Sequence, residues 1–211
     1  PMSPATGVLH WMAQNARNLG IMVRQVEDEI GVANMVIGAA HTGCRAMCAT
    51  SGGGFALMTE AIGMAAIMEL PVVFIDVQRA GPSTGVPTKT EQGDLWQVLG
   101  ASQGDFERFI VAPTDALDAF NTIPELFNLV DKYQCPGLVL TDLLISEGRS
   151  SFDPDEIDLL RRYGNEVYFG DVTRLDLLRN AGLEHARVLV LAVDDVEDSL
   201  KAVELVRQHF P

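Results

Sequence analysis

The sequence predicts an α/β protein with a mostly parallel sheet that carries helices on both faces. Apolar, β-branched runs alternate with helical periodicity along the chain, as expected for parallel strands joined by crossover helices. The run at 72–77 is typical of a strand buried on both faces, so we expect it to be central. A chain of 211 residues with 47% apolar and 21% charged residues is long enough to bury such a sheet.

The first half of the chain is predicted to alternate helices and strands. Apolar residues at spacings of three and four indicate the helix over 29–42. The long helix at 55–69 is rich in Ala and Met. The predicted elements are helix 5–19, strand 21–26, helix 29–42, strand 45–49, helix 55–69 and strand 72–77.

The second half continues the alternation and then changes in composition. Thr114 is predicted as the N-cap of a helix that ends near Lys132. Polar, turn-rich residues at 146–158 indicate a boundary. The predicted elements are helix 95–101, strand 109–111, helix 114–132 and strand 137–141, followed by a Rossmann-like β-α-β-α tail with strands 167–169 and 188–193 and helices 175–181 and 196–209.

Two specialised loops follow predicted strands. Three consecutive glycines at 52–54 stand where a strand passes into a helix, so that a ligand can approach bare backbone at a helix N-terminus. The loop at 77–88 combines an arginine, prolines, glycines and hydroxyl side chains. A loop of this composition seldom serves only to connect two elements, so we expect substrate contacts there. Two such loops at one sheet edge would form a crevice for ligands.

These segments also carry a family resemblance. The sequences at 1–6, 26–31, 49–55 and 78–94 together resemble the alpha subunit of 2-oxoacid:ferredoxin oxidoreductases. More narrowly, they resemble the domain that receives the aminopyrimidine end of thiamine diphosphate. The resemblance runs from residue 1 to about 158. It implies a thiamine diphosphate pyrimidine-side domain over 1–158.

The resemblance implies a catalytic carboxyl group and a cofactor-binding turn. By itself, Glu29 is explained as a first-turn glutamate favoured by the helix dipole. By resemblance it is the carboxyl that hydrogen-bonds the pyrimidine nitrogen of the cofactor. Thr50, Ser51, Gly52 and Gly53 would lie near the pyrimidine, although a turn that needs glycine for backbone reasons alone also explains them.

The resemblance also implies substrate-binding residues. Arg79 offers a planar fork of donors for the carboxylate of a 2-oxoacid, with Ser3 and Thr88 as hydroxyl donors. The alternatives are a surface arginine paired with Glu91 or Asp94, and a simple helix cap for Ser3. By resemblance the loop at 79–88 favours 2-oxoglutarate.

Further parts of the implied enzyme are expected in partners. By resemblance, the magnesium-diphosphate half of the thiamine site comes from a different subunit or domain, expected to be a beta subunit. Its Gly-Asp-Gly type motif does not occur in this chain. No Cys-x-x-Cys occurs, so an iron–sulfur cluster is expected only in a partner, and ferredoxin and CoA would act through the complex. The chain opens inside the family pattern, so we expect its first strand to be lacking. We predict an oligomer that is inactive as an isolated chain.

The tail at 159–211 resembles the second half of the nucleotide-binding regulatory domain of Kef/Trk-type potassium transport proteins. The similar segments lie at 160–182 and 186–195. By resemblance, Asp171 and Asp194 would contact the adenosine part of a nucleotide, but the glycine fingerprint that cradles phosphates is missing. Three functions therefore stay open: an oxidoreductase part, an adenine-nucleotide-sensing module of potassium transport, and a chimera without activity, joined near Asp158.

The charge and cysteine content narrow the expected setting. A formal charge of −14 argues against nucleic acid and anionic membrane surfaces as partners. Residues 1–158 hold 8 basic against 20 acidic residues, whereas 159–211 hold 7 against 9, a hint of two origins. No signal peptide or membrane-spanning run is evident, and no metal site is predicted. The three cysteines are too few for a disulfide framework, Cys44 and Cys48 are expected to be core fillers, and a cytoplasmic location is expected.

The helix at 55–69 has more apolar surface than one core-facing stripe requires. We predict that this helix and the glycine turn before it form a subunit interface. A helix buried within its own domain would have a similar composition. The apolar residues in question are Met58, Ile62, Met64, Ala65, Ile67 and Met68.

Overall fold

The computed structural model describes residues 2–151 and 196–209, and the chain divides into two compact units, Pro1–Ile157 and Asp158–Pro211. Of the described residues, those in the second unit form helix α7, Val196–His209. Those in the first unit form α1 (Thr6–Leu19), α2 (Glu29–His41), β1 (Ala46–Thr50), α3 (Gly52–Ile67), β2 (Val72–Gln78), α4 (Leu95–Leu99), β3 (Phe109–Val111), α5 (Ala116–Tyr133), β4 (Gly137–Asp142) and α6 (Leu143–Glu147).

The four strands form one parallel sheet in the order β1-β2-β4-β3. Strand β2 is internal, and all seven of its residues are buried. The predicted central strand is therefore confirmed. Because β1 and β2 are parallel neighbours, their carboxyl ends meet at one edge of the sheet, and their register places Thr50 opposite Asp76.

Apolar residues cover both faces of the sheet, as predicted. On one face Val72 and Phe74 belong to a core cluster that includes residues of α2, α3 and α4. On the other face Val73, Ile75 and Val77 pack in a cluster with residues of α5. The period-two alternation of β2 thus supplies two separate cores. A strand with apolar residues on both faces belongs inside a parallel sheet.

The predicted strand at 21–26 is wrong. The segment lies outside the sheet, and the N–H of Ile21 instead donates to the carbonyl of Ala16 at the end of α1, at 3.0 Å. Together with α1 it lines a cavity of about 590 Å³. A β-branched sequence forms a strand only where a neighbouring strand offers a ladder, and none of the described strands pairs with it.

Several predicted helix ends are also corrected. Helix α3 begins at Gly52 rather than at 55, with Ser51 as its N-cap, so the three glycines are its first turn. Asp115, not Thr114, caps α5, and its carboxylate accepts from the N–H of Asp118 at 2.9 Å. Aspartate is as good a cap as threonine, and adjacent caps cannot be separated by pattern.

The remaining predictions concern the tail of the chain and the cysteines. The helix predicted over the last residues is confirmed as α7. The strands predicted at 167–169 and 188–193 and the helix at 175–181 lie outside the described residues. Cys48 is buried, which raises the pKa of its thiol to about 12, whereas Cys44 is exposed and not a core filler.

Helix α3 is partly a core helix. Met58, Ile62 and Ala65 are buried in their own unit, so they cannot be interface residues as predicted. Ile67 and Met68 are exposed at the helix end. Of the helices in the described ranges 2–151 and 196–209, none is long and apolar enough to cross a membrane.

The central strand gives a stability prediction. Phe74→Ala should lower the free energy of unfolding by about 3–5 kcal/mol, because Phe74 is fully buried between β2 and the helices of its core. The matched control Ile67→Ala removes a side chain that is 85% exposed and should change stability by less than about 0.5 kcal/mol. Urea denaturation measures both. Equal losses in the two variants would contradict the assigned core.

Candidate functional site

The candidate site lies at the carboxyl edge of β1 and β2. Strand β1 ends at Thr50 and leads directly into the first turn of α3, while β2 ends at Gln78 and leads into the long loop at 79–94. The two loops singled out in the sequence thus leave adjacent parallel strands on the same edge, as predicted.

Glu29 is held at the first turn of α2. Asp28 caps this helix, and its carboxylate accepts from the N–H of Gly31 at 2.6 Å. The hydroxyl of Thr50 lies 3.5 Å from Oε1 of Glu29 and donates to it in a part-buried environment. Two residues that are 21 positions apart are therefore brought together, one by a helix start and one by a strand end.

The first turn of α3 packs closely against this pair. A Cβ added to Gly54 would collide with Oγ1 of Thr50 and with the side chain of Glu29. Glycine is required here because of the close approach and not because of an unusual backbone angle. Next to this turn, Ser51 is fully buried and its hydroxyl has no hydrogen-bond partner. A buried polar group without a partner is unusual and suits a position that a ligand completes.

Arg79 is a buried residue, not a surface one. It is 8% exposed, and its guanidinium donates to the backbone carbonyl of Ser3 at 2.5 Å and to that of Thr84 at 2.8 Å. The alternative of a surface arginine paired with Glu91 or Asp94 is wrong. Two N–H groups of Arg79 thus connect the N-terminal segment and the long loop to the end of β2. The other N–H donors of the guanidinium remain for a ligand.

A cavity of about 700 Å³ lies beside these residues. Its lining includes Gly52 and Gly53 of α3, Arg79, and the carboxylates of Glu91 and Asp94. Its volume is that of a small-molecule site. The first turn of α3 therefore separates the Glu29–Thr50 pair on one side from the Arg79 cavity on the other.

Two residues predicted to donate hydroxyl hydrogen bonds to the substrate, Ser3 and Thr88, do not present their hydroxyl groups to the cavity in the way that the prediction requires. Ser3 contacts Arg79 through its backbone carbonyl rather than its hydroxyl. Thr88 is exposed on the loop and is not part of the cavity lining. Asp171 and Asp194 lie outside the described residues. Within the part of the chain that the structure describes, no three His, Cys, Asp or Glu side chains are grouped to hold a metal ion.

The sequence analysis missed a polar cluster beside the cavity. Asp76, in the middle of β2, is fully buried, and neither of its carboxyl oxygens has a hydrogen-bond partner. Burial, and then the charge of Asp94, raise the pKa of Asp76 to about 8. Burial and Glu91 also raise the pKa of Asp94. A charged residue inside an apolar, β-branched run was the available signal.

Asp94 and its neighbours fix the beginning of α4. The N–H of Asp94 donates to the side-chain carbonyl of Gln78 at 3.0 Å, and the amide of Gln97 donates to the carbonyl of Gly52 at 2.8 Å. The carboxylate of Asp94 lies so close to Gly52 that a Cβ there would collide with it. The loop at 79–94 is thereby held against the first turn of α3.

These features define an α/β protein with a candidate ligand site at the carboxyl edge of a parallel sheet, formed by a carboxylate, a hydroxyl, a glycine-rich helix start and a buried arginine. The family model described as pyruvate flavodoxin/ferredoxin oxidoreductase, thiamine diP-bdg, matches residues 1–167, and the chain belongs to this family. The model of the TrkA-N domain matches residues 150–211. Both resemblances drawn from the sequence are confirmed.

Similar proteins agree with this assignment. The 2-oxoglutarate synthase subunit KorA of Methanothermobacter marburgensis is 39% identical over 163 residues, which are 77% of this chain and 44% of that relative. The 2-oxoglutarate oxidoreductase subunit KorA of Mycobacterium tuberculosis is 38% identical over 160 residues, 76% of this chain and 24% of the relative. The chain thus spans less than half the length of these curated relatives.

A solved structure is also similar. It is the 2-oxoglutarate:ferredoxin oxidoreductase from Magnetococcus marinus with 2-oxoglutarate, coenzyme A and succinyl-CoA bound. The match has a TM-score of 0.67 and 42% sequence identity, and covers 69% of this chain and 26% of that one.

The close approach of α3 gives a prediction with an internal control. Gly54→Ala should lower the free energy of unfolding by about 1–3 kcal/mol, because the new methyl group would displace Thr50 or Glu29. Gly38→Ala, within helix α2, meets no atom within 4 Å and should raise it by about 0.5–1 kcal/mol. Chemical denaturation compares the two. A neutral Gly54→Ala would show that the approach is not tight.

Asp76 gives a pH prediction. Its pKa is raised above the ordinary value of 3.8, so the folded state holds a proton that the unfolded state releases. Stability from this group is therefore full below about pH 4 and is lost as the pH rises to about 8. Asp76→Asn should flatten this decline, whereas Asp105→Asn, at an exposed site, should keep it. Urea midpoints from pH 5 to 9 measure the slope, and an unchanged slope in Asp76→Asn would contradict the assignment.

Proposed function

We propose that this chain is the pyrimidine-side part of the alpha subunit of a 2-oxoacid:ferredoxin oxidoreductase. The enzyme would oxidatively decarboxylate a 2-oxoacid with CoA and reduce ferredoxin. The names of the similar proteins point to 2-oxoglutarate as this substrate. The observation that carries the proposal is the Glu29–Thr50 pair under the glycine turn of α3, in a chain of a thiamine-binding family.

The residues present fit the pyrimidine end of thiamine diphosphate. The protonated carboxyl of Glu29 can donate a hydrogen bond to the pyrimidine nitrogen, and its carboxylate can accept one from the protonated ring; the hydroxyl of Thr50 donates to Glu29 and orients it. Gly52 and Gly53 would bring bare backbone near the ring, with the carboxylate of Asp94 beside Gly52, and the unpartnered hydroxyl of Ser51 offers a further polar contact. When bound, the cofactor supplies the carbon that attacks the keto group of the substrate. Glu29 would hold the proton on the pyrimidine nitrogen.

Arg79 is the proposed binder of the substrate carboxylate. Its position on the cavity lining supports this role, and its hydrogen bonds to two backbone carbonyls pre-organise the guanidinium. Ser3 and Thr88 remain proposed hydroxyl donors. Thr88 is exposed and lies outside the cavity lining, so this role requires that the loop brings it toward the substrate.

The remaining parts of the enzyme are proposed to lie in partners. A beta subunit would supply magnesium and the diphosphate half of the site, and the iron–sulfur cluster would be held by a partner. The relatives are named as subunits, which supports an assembly of several chains. The exposed apolar side chains of Leu57, on the cavity lining, and of Trp96, on α4, offer contact surface for such a partner or a second copy. Cys44, Cys48 and Cys135 are free thiols, which suits the reducing cytoplasm.

A second candidate rests on the TrkA-N match to residues 150–211. In that case the tail would sense an adenine nucleotide, with Asp171 and Asp194 as contacts, and regulate potassium transport. Titration of the chain with ATP and NADH separates the candidates. Micromolar binding that is lost in Asp171→Asn would favour the sensor. An absence of both nucleotide binding and reconstituted oxidation would favour a chimera without activity.

The proposed function predicts the effect of one carboxyl group. Glu29→Gln should lower kcat by about 10²–10⁴-fold, because an amide cannot exchange a proton with the pyrimidine. The matched control Glu27→Gln changes an exposed glutamate two residues away and should keep full activity. The measurement is CoA- and 2-oxoglutarate-dependent reduction of ferredoxin by the chain combined with a beta subunit. Equal activities of the two variants would contradict the proposed role of Glu29.

A further inference from the structure

The buried carboxyl of Asp76 is used neither by the core nor by the proposed thiamine site. It lies on the face of β2 that carries Phe74 and Gln78, in register with Thr50 of β1 and Leu140 of β4. It is fully buried, and both oxygens lack a hydrogen-bond partner. An ionised carboxylate in this position would be costly, so the group needs either a proton or a ligand.

The second member of the cluster connects Asp76 to the cavity. Asp94 lies on the cavity lining, and its carboxylate packs against Gly52. Its backbone N–H is held by Gln78, which lies on the same strand face as Asp76. The two carboxyl groups interact electrostatically. A change of charge on Asp76 therefore acts on a residue that a ligand in the cavity would contact.

The charges at this sheet edge do not by themselves favour an anion. Arg79 is the cation of the cavity lining, and Glu91 and Asp94 are its acidic residues. Glu91 accepts from the N–H of Gly81 at 3.1 Å, so its charge is partly compensated. Glu29 lies across the first turn of α3. If Asp76 and Asp94 were both ionised, negative charge would exceed the charge of Arg79.

Protonation of the pair changes this balance. With Asp76 neutral, the field at Asp94 is weaker, and Asp94 can itself hold a proton when an anion enters. A neutral Asp94 carboxyl can donate a hydrogen bond to an oxyanion, whereas its ionised form only accepts. Each negative charge removed from the cavity strengthens the effect of Arg79 on a bound carboxylate.

We propose that Asp76 is a positioning residue that acts through Asp94 as a proton-dependent selector, so that the cavity admits a carboxylate ligand while the pair holds a proton and rejects it when both groups are ionised. The choice of a carboxylate ligand rests on the proposed function. The proton assigned to the pair rests on the complete burial of Asp76 and on its two unpartnered carboxyl oxygens.

The proton can be observed directly. Infrared spectra of the chain should contain a protonated carboxyl band at pH 7 that fades as the pH rises through about 8. The band should be absent in Asp76→Asn and unchanged in Asp105→Asn, whose carboxyl is exposed. The absence of a band that depends on Asp76 would overturn the proposal and leave the proposed oxidoreductase function intact.

The selector itself is tested by ligand affinity. In NMR titrations, 2-oxoglutarate should bind the wild-type chain and Asp105→Asn about tenfold more tightly at pH 6.5 than at pH 9. Asp76→Asn resembles the neutral acid and should lose most of this pH dependence, the remainder coming from Asp94. A wild-type pH profile in Asp76→Asn would overturn the selector alone. A wild-type chain that fails to bind 2-oxoglutarate at pH 6.5 would overturn both the selector and the proposed substrate, although the carboxyl band would persist.

Discussion

The contact of the first turn of α3 with Glu29, Thr50 and Asp94 is the constraint on which the rest of the site depends. At Gly54 the helix backbone touches the Glu29–Thr50 pair, and at Gly52 it touches the carboxylate of Asp94. A side chain at either position would have to displace the side chains that it meets, Thr50 or Glu29 at Gly54 and Asp94 at Gly52. One helix start thereby fixes the distance between the carboxylate side of the site and the cavity that contains Arg79.

The core positions this helix start without contributing chemistry. Strand β2 lies between β1 and β4 and presents apolar residues to both layers of helices, so its carboxyl end is held rigidly in the middle of the sheet edge. Functional groups at the ends of buried parallel strands have little freedom to move. Glu29 is held in a comparable way, because the cap at Asp28 fixes the beginning of α2.

Arg79 and Asp76 are two buried ionisable residues near the carboxyl edge of the sheet, and burial affects them differently. Arg79 loses solvent but gains two backbone carbonyls, so its charge is oriented and remains partly available. Asp76 loses solvent and gains no hydrogen bond, so its neutral form is favoured and its pKa rises to about 8. Arg79 thus keeps its charge at the cavity lining, whereas Asp76 lies behind the lining and would act on the cavity through Asp94, as proposed.

The sequence by itself determined the parallel α/β class, the four strands of the described sheet, the central position of the run at 72–77, and the family. These follow from apolar periodicity and ordered motifs, which are local properties. The additional strand predicted at 21–26 is wrong. The sequence also indicated that the glycine turn and the Arg79 loop share an edge. Only the tertiary structure decided that residues 21–26 have no strand to pair with, and that Ser3 contacts Arg79 through its backbone. It also decided that the carboxyl group of Asp76, within a run predicted to be buried, has no hydrogen-bond partner. Strand pairing, hydrogen-bond partners and charge coupling arise between residues that are distant in sequence, and no local pattern encodes them.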